Sequence, residues 1–166
     1  KSRFIPYLRR FYRIIFINAP GQVVIAGATG AVDKAVDALK EAGARRAMPL
    51  PVSAPFHTPL MQPAADVMAE AFETVSWHAP SFPVVSNVDG SLQASPDAIK
   101  ASLVKQISSP VLWTECMNTL KQQGCNQFLE CGPGNVLCGL SKRIDKTVPI
   151  KSIEAVASIE AGLSDL

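Results

Sequence analysis

The sequence predicts an α/β protein with a partly parallel sheet. Short runs rich in valine and isoleucine alternate with stretches of helical periodicity, the connections between them are short, and several helical stretches begin or end at capping residues. The chain has 166 residues, of which 48% are hydrophobic and 18% are charged. This composition is typical of a globular domain with a sizeable core rather than of a disordered chain.

The first elements form a strand–helix–strand unit. Gly21–Gly27 is a valine- and isoleucine-rich run between glycines and predicts a strand. Thr29 is the expected N-cap of a helix over residues 30–42. Ala44–Leu50, which carries Arg45 and Arg46, is the second predicted strand, and the connecting segments of the unit are short.

The remainder of the chain continues the alternation of helices and strands. A helix is expected from Leu60 to Val75, and its apolar residues at helical spacing predict a buried stripe of Leu60, Ala64, Val67, Met68, Ala71 and Phe72. The later predicted elements are a strand over Phe82–Val88, helices over residues 96–107 and Leu112–Gln123, a strand over Asn126–Glu130, a helix over Val136–Ile144, a strand over Val148–Ile150 and a helix over Glu154–Leu163.

Lys1–Ile17 differs from the rest of the chain in composition. It holds five of the 16 basic residues and no acidic residue, so the remainder has 11 basic residues against 14 acidic ones, and a nucleic-acid-binding surface is not predicted. Apolar residues at helical spacing suggest an interfacial amphipathic helix or a targeting leader. The change in composition favours instead a segment foreign to the domain, such as a fusion or an out-of-frame translation. The segment is too short and too charged to span a membrane.

The most constrained stretch is PLPVSAPFHTPLM, residues 49–61, which contains His57. Its four prolines fix φ and restrict the preceding residues, so the stretch loses little entropy on ordering. His57 is one of only two histidines and is held at a stiff connection before a helix. The residues alone leave two interpretations open: a general base that titrates near neutral pH, or a structural residue packed beside the helix.

The cysteines predict the chemical environment of the protein. Cys116, Cys125, Cys131 and Cys138 show neither C-x-x-C pairs nor histidine partners at the spacing of a zinc site. We therefore expect reduced thiols in a cytoplasmic protein, without a disulfide framework and without a metal site.

Four motifs, in order and at characteristic spacing, resemble one family. They are PVSAPFHTPLMQPAA at residues 51–65, PVVSNVDG at 83–90, VKQISSPVLW at 104–113 and ECGPGNVLCGLSKR at 130–143. The series resembles the malonyl-CoA:acyl carrier protein transacylase family over residues 18–144. The resemblance implies the C-terminal part of an α/β-hydrolase-like acyltransferase domain at residues 51–166 and part of a small ferredoxin-like subdomain at residues 18–50. Residues 1–17 do not match.

The resemblance also implies a reaction and its residues. Members of the family transfer malonyl from coenzyme A to the phosphopantetheine thiol of acyl carrier protein by a ping-pong mechanism, with malonyl-CoA as substrate and no cofactor. His57 matches the histidine that activates the nucleophilic serine, and Gln106 matches the residue whose main-chain carbonyl orients that histidine. A serine hydroxyl is a weak nucleophile until a neutral imidazole accepts its proton, which explains the need for such a pair.

Four further residues match family positions that concern the substrate. Asn18 and Gln22 match positions near the entrance for the thioester, and Arg45 and Arg46 match a basic pair suited to the phosphates of coenzyme A or to acidic acyl carrier protein. A solvated strand edge is the alternative interpretation of the two arginines.

The nucleophile of the family is missing from this sequence. The family serine lies in a G-H-S-x-G motif, and no serine of the chain has glycines in this arrangement. The family arginine that pairs with the malonyl carboxylate is missing as well. We therefore expect the C-terminal half of a transacylase, active only with an N-terminal half that supplies the serine. The alternative is a catalytically inactive α/β fragment, at most an interaction module for acyl carrier protein.

Overall fold

The computed structural model describes residues 13–163, which contain six α-helices and six β-strands. In chain order these are β1 (Arg13–Ala19), β2 (Gln22–Ala26), α1 (Thr29–Glu41), α2 (Gln62–Phe72), β3 (Val84–Val85), β4 (Leu92–Gln93), α3 (Pro96–Ser108), α4 (Trp113–Gln122), β5 (Phe128–Cys131), α5 (Val136–Ile144), β6 (Ile150–Ile153) and α6 (Val156–Leu163). A single 3-10 turn, Pro59–Met61, precedes α2.

The strands of the described region pair two by two. β1 pairs with β2 and β3 pairs with β4, both antiparallel, whereas β5 and β6 are parallel and are connected through α5. The mixed α/β character predicted from the sequence is thus confirmed. Parallel pairing between named strands is limited, among residues 13–163, to β5 and β6.

The helix suggested for Lys1–Ile17 is wrong for the part that the structure describes, and residues 1–12 lie outside the described residues. Arg13–Ala19 is a strand that pairs with β2, from Arg13 opposite Ala26 to Ala19 opposite Gln22. Its run of isoleucines and phenylalanine suits an extended backbone better than a helix. A backbone hydrogen bond of 2.9 Å from Val111 to the carbonyl of Ile15 also ties β1 to the start of α4.

The strand predicted over Ala44–Leu50 is also wrong. Residues 44–58 form neither helix nor strand in the structure. Pro49 and Pro51 lack the N–H group that a sheet neighbour requires, so the segment cannot continue a ladder. Most side chains of residues 44–50 lie at the surface, with Met48 54% exposed and Leu50 52% exposed.

The start of α1 differs by one residue from the prediction. Thr29 is the first helical residue instead of the N-cap, and Ala28 takes the cap position without a side-chain hydrogen bond. The helix is held instead by packing, because buried Ala35 lies against Ile25 of β2.

The buried stripe predicted for the helix after the proline-rich loop is wrong as well. Leu60 is 63% exposed and Val67 is 65% exposed, whereas Ala65 is fully buried. α2 packs against α3, so burial follows the face that turns towards α3. The face that carries Val67 has no partner among residues 13–163, which periodicity alone cannot reveal.

The other helices are confirmed within about two residues, the usual uncertainty of helix ends. Ser95 caps α3 by accepting a hydrogen bond of 3.2 Å from the amide of Ala98, and Pro96 occupies the first turn as its sequence position predicts. The predicted strand Phe82–Val88 is shorter, at Val84–Val85, and the strand predicted over Val148–Ile150 lies at Ile150–Ile153.

The largest buried apolar side chains lie where β1, α4 and α5 meet. Ile15 of β1, Met117 of α4 and Leu140 of α5 are each at most 9% exposed. This contact places the start of α4 beside β1, the strand that carries Phe16 to the region of His57. None of the helices within residues 13–163 has the length and apolar character needed to cross a membrane.

Candidate active site

His57 and Gln106 are brought together although they are 49 residues apart in the chain. The Nδ1 atom of His57 lies 2.9 Å from the main-chain oxygen of Gln106. A carbonyl oxygen can only accept, so Nδ1 carries the proton and the lone pair of the neutral ring is on Nε2. Nε2 forms no hydrogen bond with any group of the described residues. An imidazole in this state can accept a proton from a hydroxyl or a thiol.

The position of Gln106 explains why its carbonyl is available. It lies in the last turn of α3, and the residue four positions later is Pro110, which has no N–H to donate. Besides the imidazole, the carbonyl accepts a weak hydrogen bond of 3.3 Å from the amide of Ser109. The C-terminal end of a helix carries partial negative charge, which favours positive charge on a nearby ring after it has accepted a proton.

The loop around His57 is held in an unusual conformation. His57 has a φ of 61°, in the left-handed region that non-glycine residues seldom adopt. Thr58, which is buried, fixes the backbone on both sides: its hydroxyl donates to the carbonyl of Pro55 at 2.7 Å and accepts from the amide of Leu60 at 3.2 Å. This turn directs the imidazole towards α3.

Phe16 contacts the same imidazole from β1. The two ring centroids are 4.9 Å apart and the rings meet edge to face at 78°, a geometry typical of favourable aromatic pairs. This contact was not predicted, because the composition of Lys1–Ile17 favoured a segment foreign to the domain. The run of β-branched and aromatic residues from Ile14 to Ile17 is typical of a strand and was the signal that could have revealed it.

A second missed residue is Asn87, which lies in the SNVDG motif. Its side-chain Nδ2 donates to the side-chain Oε1 of Gln106 at 3.3 Å, and its backbone carbonyl accepts from the amide of Leu112 at 2.8 Å. Asn87 is half-buried. Its two hydrogen bonds link the end of α3 to the start of α4. The PVVSNVDG motif at residues 83–90 marked this segment, but its spacing assigned no role to Asn87.

The other predicted site residues are not brought to His57 by any contact of the described residues. Asn18 lies half-buried in β1, two residues after Phe16. Gln22 accepts a hydrogen bond from Arg143 of α5. Arg45 and Arg46 are exposed in the irregular segment before the proline-rich loop, and Arg46 contacts the sulfur of Met48.

A buried carboxylate lies in a different part of the structure. Glu130, at the end of β5, accepts hydrogen bonds from the amides of Leu137 at 2.9 Å and Cys138 at 2.8 Å, in the first turn of α5. Burial by itself would raise the pKa of Glu130, but these donors outweigh it and the pKa lies below its usual value of 4.5. The carboxylate thus satisfies two amides in the first turn of α5, whose N-cap residue, Asn135, makes no side-chain hydrogen bond there.

A groove lies between α2 and α3, away from His57. Its volume is about 510 Å³, and it is lined by Gln62, Asp97, Lys100, Ala101, Val104, Lys105 and Ser108. Among residues 13–163, no three histidine, cysteine, aspartate or glutamate side chains are arranged to hold a metal ion.

The chain is similar in sequence to characterised transacylases. It is 46% identical over 146 residues to the malonyl CoA-acyl carrier protein transacylase of Escherichia coli strain K12, a match that covers 88% of this chain and 47% of that protein. It is 38% identical over 144 residues to the enzyme of the same name from Staphylococcus aureus strain COL, covering 87% of this chain and 47% of the relative. No protein-family model matches the chain.

Solved structures give the same result. The malonyl-CoA:acyl carrier protein transacylase of Xanthomonas oryzae superposes with a TM-score of 0.87 at 44% identity, over 93% of this chain and 49% of that one. A malonyl-transacylase solved in complex with a type II PKS acyl-carrier protein superposes with a TM-score of 0.90 at 44% identity, over 99% of this chain and 54% of that one. The chain spans about half the length of the relatives that it matches. On these similarities, the chain belongs to the malonyl-CoA:acyl carrier protein transacylase family.

Proposed function

We propose that this chain is the C-terminal half of a malonyl-CoA:acyl carrier protein transacylase and supplies its general base, His57. The observation that supports this most directly is the 2.9 Å contact between His57 Nδ1 and the main-chain oxygen of Gln106. It leaves Nε2 as the proton acceptor, which is the state that a serine nucleophile requires. The serine itself comes from an N-terminal half.

The proposed reaction has two symmetrical steps. The serine hydroxyl transfers its proton to His57 Nε2 while its oxygen attacks the thioester carbonyl of malonyl-CoA, and the C–S bond then breaks as the imidazolium returns the proton to the departing thiolate. The phosphopantetheine thiol of acyl carrier protein next gives its proton to Nε2 and attacks the malonyl-serine ester. The serine oxygen leaves with that proton, and the Gln106 carbonyl keeps the ring oriented throughout.

The exposed apolar residues near His57 support the need for a second half. Phe56 is 44% exposed, Leu60 is 63% exposed and Val67 is 65% exposed. Several large apolar side chains exposed within twelve consecutive residues are typical of a surface that another protein segment covers. In this arrangement residues 51–166 contribute to the α/β-hydrolase-like large domain and residues 18–50 to the ferredoxin-like subdomain.

The substrate residues of the proposal are Asn18 and Gln22 for the thioester, and Arg45 and Arg46 for phosphate or acyl carrier protein. Both arginines are exposed, which suits long-range attraction of an acidic partner. The four cysteines are free thiols, in keeping with the cytoplasmic location that we propose.

The test is reconstitution. The chain is co-expressed with the polypeptide corresponding to the first half of the E. coli relative, and the purified pair is incubated with radiolabelled malonyl-CoA. We expect label on the serine-bearing polypeptide, its transfer to added acyl carrier protein, and no label on this chain alone. His57→Ala in the pair should slow transfer by about 10²–10⁴-fold, whereas His78→Ala, the matched change at the other histidine, should not.

Equal transfer by the His57→Ala and His78→Ala pairs would contradict the role of His57. A folded pair that forms no acyl-enzyme would support the inactive alternative instead. In that case, retention of the chain on immobilised acyl carrier protein would identify an interaction module.

A further inference from the structure

Asn87 occupies a turn that is fixed independently of the His57 loop. The amide of Ser86 donates to the carbonyl of Ser91 at 2.8 Å, and the hydroxyl of Thr119 donates to the carbonyl of Gly90 at 2.6 Å. Gly90 has a φ of 69° and approaches α4 so closely that an added Cβ would lie 2.9 Å from the Cβ of Glu115. The turn is therefore held against α4 and gives Asn87 a defined position.

Each end of the Asn87 side-chain amide contacts one neighbouring side chain. The Sγ atom of Cys116 lies 3.5 Å from Asn87 Oδ1 and 3.4 Å from the carbonyl of Ser86. Burial desolvates this thiol and raises the pKa of Cys116 to about 11, so the sulfur keeps its proton at neutral pH and can share it between these two oxygens. The NH2 group at the other end of the Asn87 amide donates to Oε1 of Gln106, at 3.3 Å.

These contacts form one continuous series. The Cys116 thiol donates to Asn87, Asn87 donates to the side chain of Gln106, and the main chain of Gln106 accepts from His57. Both ends of Gln106 are thus occupied, its side chain by Asn87 and its carbonyl by the imidazole. A residue held at two points restricts the direction of its carbonyl more than a helix terminus with a free side chain does, because the last turn of a helix frays.

We propose that Asn87 is a positioning residue for His57, acting through Gln106: its amide holds the Gln106 side chain so that the Gln106 carbonyl selects the Nδ1–H form of the imidazole. This proposal rests on the proposed function in that it concerns the same histidine. It does not require the chain to be active, because the tautomer of His57 can be measured in the chain itself.

The experiment is nitrogen-15 NMR of the full chain labelled at histidine. Only two imidazoles are present, and His78→Gln assigns their signals. In the wild-type chain we expect His57 Nδ1 to show the shift of a protonated nitrogen and Nε2 that of an unprotonated one. In Asn87→Ala we expect a mixture of tautomers and exchange of the Nδ1–H proton with water faster by about fivefold, the effect of one hydrogen bond of ordinary strength.

Three variants keep the test decisive. Asn126→Ala, at an exposed asparagine, should leave the His57 signals unchanged. Gln106→Ala removes the same contact from the other side while keeping the main-chain carbonyl, so it should reproduce the Asn87→Ala spectrum and serves if Asn87→Ala does not fold. Cys116→Ser keeps a donor beside Asn87 and should resemble the wild type.

Wild-type tautomer and exchange rate in both folded Asn87→Ala and folded Gln106→Ala would overturn the proposal. That result would leave the transacylase function untouched, since reconstituted transfer depends on His57 itself. Conversely, a reconstituted pair without activity would contradict the proposed function while the NMR result on Asn87 still stood.

Discussion

His57 and Glu130 are both held by backbone groups at the end of a helix, but the two helix ends have opposite polarity. His57 donates to a carbonyl in the last turn of α3, where partial negative charge favours a cation. Glu130 accepts amides in the first turn of α5, where partial positive charge favours an anion. In each case the charge that the side chain carries, or acquires on protonation, matches the end of the helix that it contacts.

The two sites differ in how completely their polar atoms are used. Glu130 is 9% exposed, and each of its carboxylate oxygens accepts an amide hydrogen. His57 is half-buried and uses one ring nitrogen, while the other makes no hydrogen bond within residues 13–163. A fully satisfied group serves the fold, whereas a group satisfied on one side keeps an atom for chemistry. The comparison predicts that changes at His57 affect activity and changes at Glu130 affect stability.

The largest expected effect is that of His57→Ala on transfer. In the reconstituted pair, the rate of malonyl transfer should fall by about 10²–10⁴-fold, the usual contribution of a general base. The urea midpoint of the variant should stay close to that of the wild type, because a half-exposed ring with a single hydrogen bond contributes little to folding. A large fall in the urea midpoint of His57→Ala would contradict this prediction, because the loss of transfer could then result from loss of folding.

Glu130→Ala should show the opposite pattern. Two amides in the first turn of α5 would lose their acceptor, and the free energy of unfolding should fall by about 3 kcal/mol. Urea titration followed by circular dichroism measures this change. Glu160→Ala, at an exposed glutamate of α6, is the control and should change stability by less than about 0.5 kcal/mol.

Gly90→Ala tests the turn that supports Asn87. Its Cβ would lie 2.9 Å from the Cβ of Glu115 and 3.2 Å from that residue's backbone, at a φ of 69°. We expect a loss of about 2 kcal/mol in unfolding free energy, from strain at positive φ and displacement of α4. Gly139→Ala is the matched control in α5: its Cβ meets nothing within 4 Å, so the variant should gain up to about 1 kcal/mol.

The smallest effect concerns pH. The pKa of Glu130 is lowered by folding, so its contribution to stability is complete above the pKa of the unfolded chain, near 4.5, and is lost as the pH falls through the lower folded value. The stability difference between wild type and Glu130→Gln should therefore be constant from pH 6 to pH 7 and decrease below about pH 4.5. A difference that grows on acidification would show that the carboxylate is not stabilised by its amide donors.

Local signals in the sequence predicted helices well and burial poorly. Ser95 and Pro96 mark the start of α3 because capping and the missing proline N–H act within a few residues. The exposure of Val67 could not be predicted, since it depends on which segment packs against α2. The strand predicted over Ala44–Leu50 is wrong because Pro49 and Pro51 interrupt any ladder there, and this outweighs the short connection to α1.

Only part of the candidate site could be predicted, because local signals do not show which distant residues meet. The pairing of His57 with Gln106 came from the resemblance to a family, because no local pattern connects residues 49 positions apart. Phe16 and Asn87 were not predicted. Their positions depend on β1 pairing with β2 and on the turn over residues 86–91, both of which are properties of the folded chain.

The left-handed backbone at His57 has a consequence for how this position would respond to selection. At a φ of 61°, glycine avoids the steric cost of a Cβ and asparagine tolerates it well. Replacing His57 by either residue should therefore relieve strain on the order of 1 kcal/mol. A library of variants screened only for folding would enrich glycine or asparagine at position 57, whereas a library screened for acyl transfer would return histidine.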